Sequence, residues 1–295
     1  MGDAVASFLD KRDPTTVDLG LVSVGVGIGK TPLVDSVVGF ATAVIVVSSL
    51  LGWGTKAIRD YGSFSSNAVF GLGFGAVDTR ALIQGGSFPT DMISLVLIAN
   101  LPQVILSFLY FAYNGMFTAM LLGYEWTSYA WKRKGLRVSR VPSGLQRSTY
   151  FLQLPYRFGF PLVVLSGTLH WLVSQSIFVV SMDAYDRSGE FSASSNMCGY
   201  SPIAMLVVVL LATAMVATVI GFGYIPYKSG MPLAGSCSLA ISAACHPNED
   251  TKGDTFTMSE EKLQWGVIST SADGIEHCAF ANKDVGPLVE GRMYI

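Results

Sequence analysis

The stretch MISLVLIANLPQVILSFLYFAYNGMFTAMLLGY, Met92 to Tyr124, contains no charged side chain. A helix advances about 1.5 Å per residue, so about 20 apolar residues cross the hydrocarbon core of a bilayer. This stretch exceeds that length and runs into Glu125, then Lys132, Arg133, Lys134, Arg137, Arg140, Arg147 and Arg157. A charge-free helix that stops at a basic segment reads as a membrane span ending on the cytoplasmic side.

Composition extends that reading to the whole chain. Of 295 residues, 51% are hydrophobic and 14% charged, and the mean hydropathy is +0.47. A soluble domain carries about 25% charged residues, so this chain lacks the polar surface to cover a water-borne body. Further uncharged intervals run from Ser36 to Thr55, Phe158 to Met182 and Phe191 to Tyr227. They place spans at about 33–53, 92–123, 158–182 and 203–224. The expected fold is therefore all-α: a polytopic transmembrane bundle of about four helices spread over residues 33–245. Residues 1–32 form an N-terminal segment. With four aspartates and two basic residues before Leu19, they do not read as a cleavable signal. Residues 246–295, with nine acids against four bases, form a small cytoplasmic tail. Its alternating pieces Leu263–Ile268 and His277–Ala281 predict short strands.

Lysine and arginine set the orientation. Seven basic residues and one acid lie between Glu125 and Arg157, whereas Asp183, Asp186 and Glu190 outnumber Arg187 between the third and fourth spans. The first loop is expected in the cytoplasm, the second outside, and both termini in the cytoplasm. The neutral segment 54–91 is expected as a folded cap or partly embedded piece. The short apolar stretch Leu233–Cys245 is too brief to span and reads as interfacial or re-entrant.

Two sets of side chains are candidates for function. Asn100, Gln103, Ser107, Tyr110 and Asn114 recur at steps of three and four on one helix face beside Pro102. His170, Ser174 and Gln175 lie in the third span. Polar groups in hydrocarbon must meet each other or a watery path, so these eight outline a candidate intramembrane polar path; bonding between helices is the alternative. Lys132, Arg133, Lys134, Arg137, Arg140 and Arg147, interleaved with aromatics, are candidate contacts for anionic lipid or for a partner at the inner leaflet.

Other chemistries find little footing. Gly25 to Thr31 ends in Gly-Lys-Thr, but the phosphate loop's earlier glycine is replaced by Val24. Cys198, Cys237, Cys245 and Cys278 are scattered, and the Cys245-His246 and His277-Cys278 pairs are not a zinc-finger spacing. No cofactor, metal or nucleic-acid partner is expected. Nor is an enzyme, since no paired acids or nucleophile–base set lies at bilayer depth.

Several strings carry a resemblance: Ala99-Asn-Leu-Pro-Gln103, Arg147-Ser-Thr-Tyr-Phe-Leu-Gln-Leu-Pro-Tyr-Arg157, His170-Trp-Leu-Val-Ser-Gln-Ser-Ile-Phe178, Cys198-Gly-Tyr-Ser-Pro202, Gln264-Trp-Gly266 and His277-Cys-Ala-Phe280. Together they resemble the C-terminal half of a family of uncharacterised fungal multi-pass membrane proteins, known mainly through a domain of unknown function. The resemblance runs from about Phe70 to Ile295 and implies an integral membrane protein. It implies no activity, ligand or catalytic residue. The expected role is a membrane protein of unassigned activity, a transporter or channel-like component, with a membrane scaffold or partner-binding protein as the alternative.

Overall fold

The computed structural model describes residues 71, 73–83, 89–228, 230–235, 237–245, 258–271, 274–289 and 293–294, with Val22, Ser23, Ile45, Ser49 and Gly52. Four α-helices with described bounds stand beside three sheets. The fold is thus mixed α and β, which corrects the expectation of an all-α bundle. Among the described residues two helices are long and apolar enough to cross a membrane, Met92–Ala130 and Pro202–Gly223. Ile45, Ser49 and Gly52 are helical; the remainder of the expected span at 33–53 and the Gly25–Thr31 motif lie outside the described residues.

The chain divides into two compact units. The helical unit comprises Pro32–Gly115 and Arg157–Phe222. It holds the first part of α1 (Met92–Thr127), nearly all of α2 (Tyr156–Ser176) and most of α3 (Pro202–Gly223). Asp91 starts α1 by accepting the Ser94 N–H at 2.9 Å, a carboxylate cap on donors the helix itself cannot satisfy. Pro202 opens α3 at the one position where a missing N–H costs nothing. Leu95 lies beside Cys198, Gln103 beside His170, and Tyr113 beside Met215. These pairs make α1 antiparallel to α2 and parallel to α3.

The uncharged interval expected as a helix through Met182 is a helix only to Ser176. From Ile177 the chain is strand: β6 (Ile177–Tyr185) pairs antiparallel with β7 (Phe191–Tyr200), and β2 (Leu82–Ile83) adds to β7 at Cys198 and Gly199. Ile177-Phe-Val-Val180 is a β-branched and aromatic run that fits a pleated surface better than a helix. The turn Asp186–Gly189 then reverses the chain, closed by the Gly189 N–H on Asp186 O at 2.8 Å. Gly189 sits at φ +81°, a conformation that costs glycine little.

The strand-rich unit comprises Met1–Thr31, Met116–Tyr156 and Gly223–Ile295. Its five-stranded sheet has the order β1 (Val22–Ser23), β10 (Met293–Tyr294), β9 (Glu276–Ala281), β8 (Lys262–Thr270) and β3 (Lys134–Gly135). A parallel pair, β4 (Arg137–Val138) and β5 (Arg147–Ser148), stands apart. Trp126, Tyr129, Leu136 and Val138 share one core with Leu263, Trp265, Cys278 and Phe280. The Phe280 ring meets the edges of Trp126 and Tyr129 at 5.5 and 5.3 Å. Leu233–Cys245, expected as interfacial or re-entrant, carries the short helix α4 (Ser238–Ala244), whose Ile241 is buried in the same core with Cys245.

Candidate functional site

Two members of the α1 polar stripe, Asn100 and Ser107, close on their own helix. Asn100 is exposed and donates to Val96 O at 2.8 Å, and Ser107 donates to Gln103 O at 3.0 Å. Tyr110 is half-buried, its ring tilted against Phe111 at 5.8 Å. Asn114 keeps a buried Oδ1 without a bonding partner among the described residues. Only Gln103 reaches across: its Nε2 donates to His170 O at 3.0 Å, and its Oε1 accepts from the His170 Nδ1 at 2.7 Å. Those two bonds satisfy both ends of the amide and set the imidazole with its proton on Nδ1. Ser174 is exposed and bonds Trp171 O at 2.7 Å on its own helix, while Gln175 fills the space a Cβ at Gly75 would need. Among the described residues, the amide–imidazole clasp of Gln103 and His170 is the side-chain bond by which these eight join α1 to α2.

The helical unit's cavity has a different chemistry. A groove of about 670 Å³ is lined by Phe74, Trp171 and Leu172 facing Val207, Leu210 and Ala214. Phe74 and Trp171 stack with ring centres 5.5 Å apart. Thr168 turns its hydroxyl away to Val164 O at 2.9 Å.

The polar centre of the strand-rich unit is Glu125. Its carboxylate receives Arg147 Nη2 at 2.7 Å, Arg137 Nε at 3.4 Å and Lys134 Nζ at 3.5 Å. Each cation is also held elsewhere. Arg137 donates to Ser148 O and the Tyr150 hydroxyl and lies over the Tyr150 ring. Arg147 donates to Gly135 O. Lys134 reaches Ser128 Oγ and Glu125 O and sits 4.4 Å from the Tyr129 ring centre. Burial pushes the Lys134 ammonium down to about 8, although Glu125 pulls the other way. The parallel β4–β5 pairing sets Arg137 opposite Arg147, which is how two like charges come to share one carboxylate.

The six basic candidates thus divide. Lys134, Arg137 and Arg147 are committed to Glu125, and Arg133 pairs with Asp284 at 2.8 Å. Arg140 is exposed. Lys132 lies over the Trp131 ring at 4.8 Å, and Lys228, which sequence reasoning passed over, lies over the same ring at 4.6 Å. Glu125 was also missed as a hub, although a lone acid ahead of seven bases was a visible signal. Among the described residues no three His, Cys, Asp or Glu side chains are grouped to hold a metal. Burial raises the Cys278 thiol to about 12 and the Cys245 thiol still further, which leaves both as packing groups rather than nucleophiles.

Residues 31–291 match a family model described as Domain of unknown function (DUF8419). The chain belongs to this family. The match takes in both units and both groups of side chains just described. No curated protein and no solved structure matches the chain.

Proposed function

We propose that this chain is an integral, multi-pass membrane protein with a scaffold role, holding its strand-rich unit and its β6–β7 hairpin at the membrane rather than catalysing a reaction. The observation that carries the membrane reading is where the apolar surface lies. In the most apolar stretch of the two long helices only 11% and 28% is buried; the core helix of a soluble protein is mostly buried. Ile93, Leu97, Leu101, Phe108 and Phe111 of α1 are 58–75% exposed, and Phe160 and Trp171 of α2 and Leu210 of α3 are exposed with them. At about 25 cal/mol per Å², such surfaces are costly in water and suited to lipid. The 36 residues of α1 extend about 54 Å against roughly 30 Å of hydrocarbon. Its apolar N-terminal part lies in the bilayer. The 21 residues of α2 match the hydrocarbon in length, though α2 is less apolar than α1 and α3, and the excess of bases after α1 argues for a cytoplasmic strand-rich unit. The fungal source implied by the resemblance belongs with this reading.

The scaffold role is supported over transport because Asn100 and Ser107 bond their own backbone and Gln103 bonds His170, which suits bonding between helices. Membrane residence is tested by alkaline carbonate extraction. Sidedness is tested with a membrane-impermeant maleimide on sealed vesicles: a cysteine at Ser188→Cys should label from the side opposite to the exposed Cys237. Labelling of both from one side would refute the crossing by α3, the helix between them. Asn100→Cys, Gln103→Cys and Asn114→Cys should resist aqueous maleimide, and ready labelling of all three would restore the transport reading.

A further inference from the structure

Trp131 is the second organised feature of the strand-rich unit, and nothing in the Glu125 cluster uses it. Lys132 and Lys228, almost a hundred positions apart in sequence, each hold an ammonium within 5 Å of this one ring centre, at 4.8 and 4.6 Å. Both lysines are exposed, and neither pairs with a carboxylate among the described residues; Glu125 is taken by Lys134, Arg137 and Arg147. The indole Nε1–H is buried and has no acceptor among the described residues. Two like charges held within 5 Å of one ring centre repel each other, and an anion between them relieves that repulsion.

The arrangement is built by the fold. Tyr227 donates its hydroxyl to Met120 O at 2.9 Å and packs where a Cβ on Gly123 would be. That contact fixes the segment after α3 against the end of α1 and sets Lys228 beside Trp131. The same segment carries Tyr224, 83% exposed, and Ile225, 61% exposed, and Tyr124, which meets the Trp131 ring edge-on at 6.4 Å, is 46% exposed. An aromatic and aliphatic fringe next to paired ammonium groups is the chemistry of the headgroup layer: rings sit at the interface and lysines reach the phosphates.

We propose that Trp131, Lys132 and Lys228 form a binding site for the phosphate of an anionic phospholipid headgroup in the cytoplasmic leaflet. The ammonium groups hold the phosphodiester, and Tyr124, Tyr224 and Ile225 border the acyl region. The proposal rests on the membrane reading above. It also narrows the basic candidates, because Lys134, Arg137 and Arg147 are excluded and Lys228 is added.

The test uses the full chain, purified in mild detergent and offered equimolar phosphatidylserine and phosphatidylcholine, with retained lipid counted by native mass spectrometry. The wild type should retain phosphatidylserine preferentially. Lys132→Gln with Lys228→Gln should cut the preference by roughly 30-fold, about fivefold for each lysine. Lys132→Arg with Lys228→Arg should keep most of it, and Arg133→Gln should leave it intact. Equal preference in the wild type and the double glutamine variant overturns the site, as does displacement of the lipid by inorganic phosphate, which would mark a site for a free anion. A chain that stays in the membrane through alkaline carbonate yet shows no phosphatidylserine preference overturns this site alone. A chain released by carbonate overturns the membrane reading on which it rests.

Discussion

Glu125→Gln removes the one carboxylate around which Lys134, Arg137 and Arg147 are arranged. The gross attraction is large: one pair at 4 Å is worth about 4 kcal/mol at an effective dielectric near 20, and the three cations lie at 3.5, 3.4 and 2.7 Å. Mutual repulsion of the cations and desolvation of all four groups cancel most of it. Removing one partner from a fully buried pair costs about 3–5 kcal/mol, and an exposed pair is worth under about 1 kcal/mol. The side chains here are 18–37% exposed, between those limits, so the expected loss is about 2–3 kcal/mol. Urea unfolding of the full chain in non-ionic detergent reads this through tryptophan fluorescence, since Trp126 and Trp265 are buried in the core beside the cluster. Glu190→Gln at the exposed hairpin tip is the control and should stay within about 0.5 kcal/mol of wild type. Adding Lys134→Met to Glu125→Gln should recover part of the loss by removing one uncompensated charge. A Glu125→Gln variant as stable as the control would refute the claim that the carboxylate organises this unit.

The same cluster predicts a titration: Lys134 should titrate near 8 by NMR of reductively methylated protein, and lower still in Glu125→Gln, where only repelling arginines remain. Its folded value lies below the ordinary 10.5. The unfolded chain therefore binds more protons between those values, and the Lys134 contribution is greatest above pH 10.5 and lost as pH falls towards 8. Cys278 runs the other way: its thiol is raised from 9.0 to about 12, so the stability it lends is full below pH 9 and lost as pH rises towards 12, a slope that Cys278→Ser should flatten in urea titrations. Gln103→Leu should cost roughly 0.6–1.7 kcal/mol in unfolding of the helical unit by detergent denaturation; no change would mean that the clasp with His170 contributes nothing. Gly135→Ala drives a methyl group into the Leu145 carbonyl and should disrupt the strand-rich unit, seen as faster proteolysis between Gly135 and Arg147. Unchanged proteolysis would contradict the close approach of those strands.

The two helices fit to cross a membrane were legible because charge-free length is a one-dimensional property. Their ends are set by Asp91 and Pro202, residues whose local chemistry starts a helix in almost any surroundings. The hairpin was not legible in the same way. Phe158–Met182 and Phe191–Tyr227 are as uncharged as a span, and absence of charge does not distinguish a strand from a helix. What distinguished them was the β-branched run at Ile177 and the turn at Asp186–Gly189. The polar stripe was visible as a helix face, but whether its members bond their own backbone or a neighbour depends on which helix packs there, and only Gln103 faces His170.

The sequence alone determined the charge-free run from Met92 to Tyr124 and the burst of basic residues after it, because hydropathy and charge are summed along the chain. Tertiary structure decided what those basic residues do. The β4–β5 pairing turns Arg137 and Arg147 onto Glu125, and the anchoring of Tyr227 on α1 brings Lys228 to the ring that Lys132 already covers. Neither meeting has a signature in sequence, since each joins side chains whose separation is set by packing and backbone pairing rather than by position along the chain.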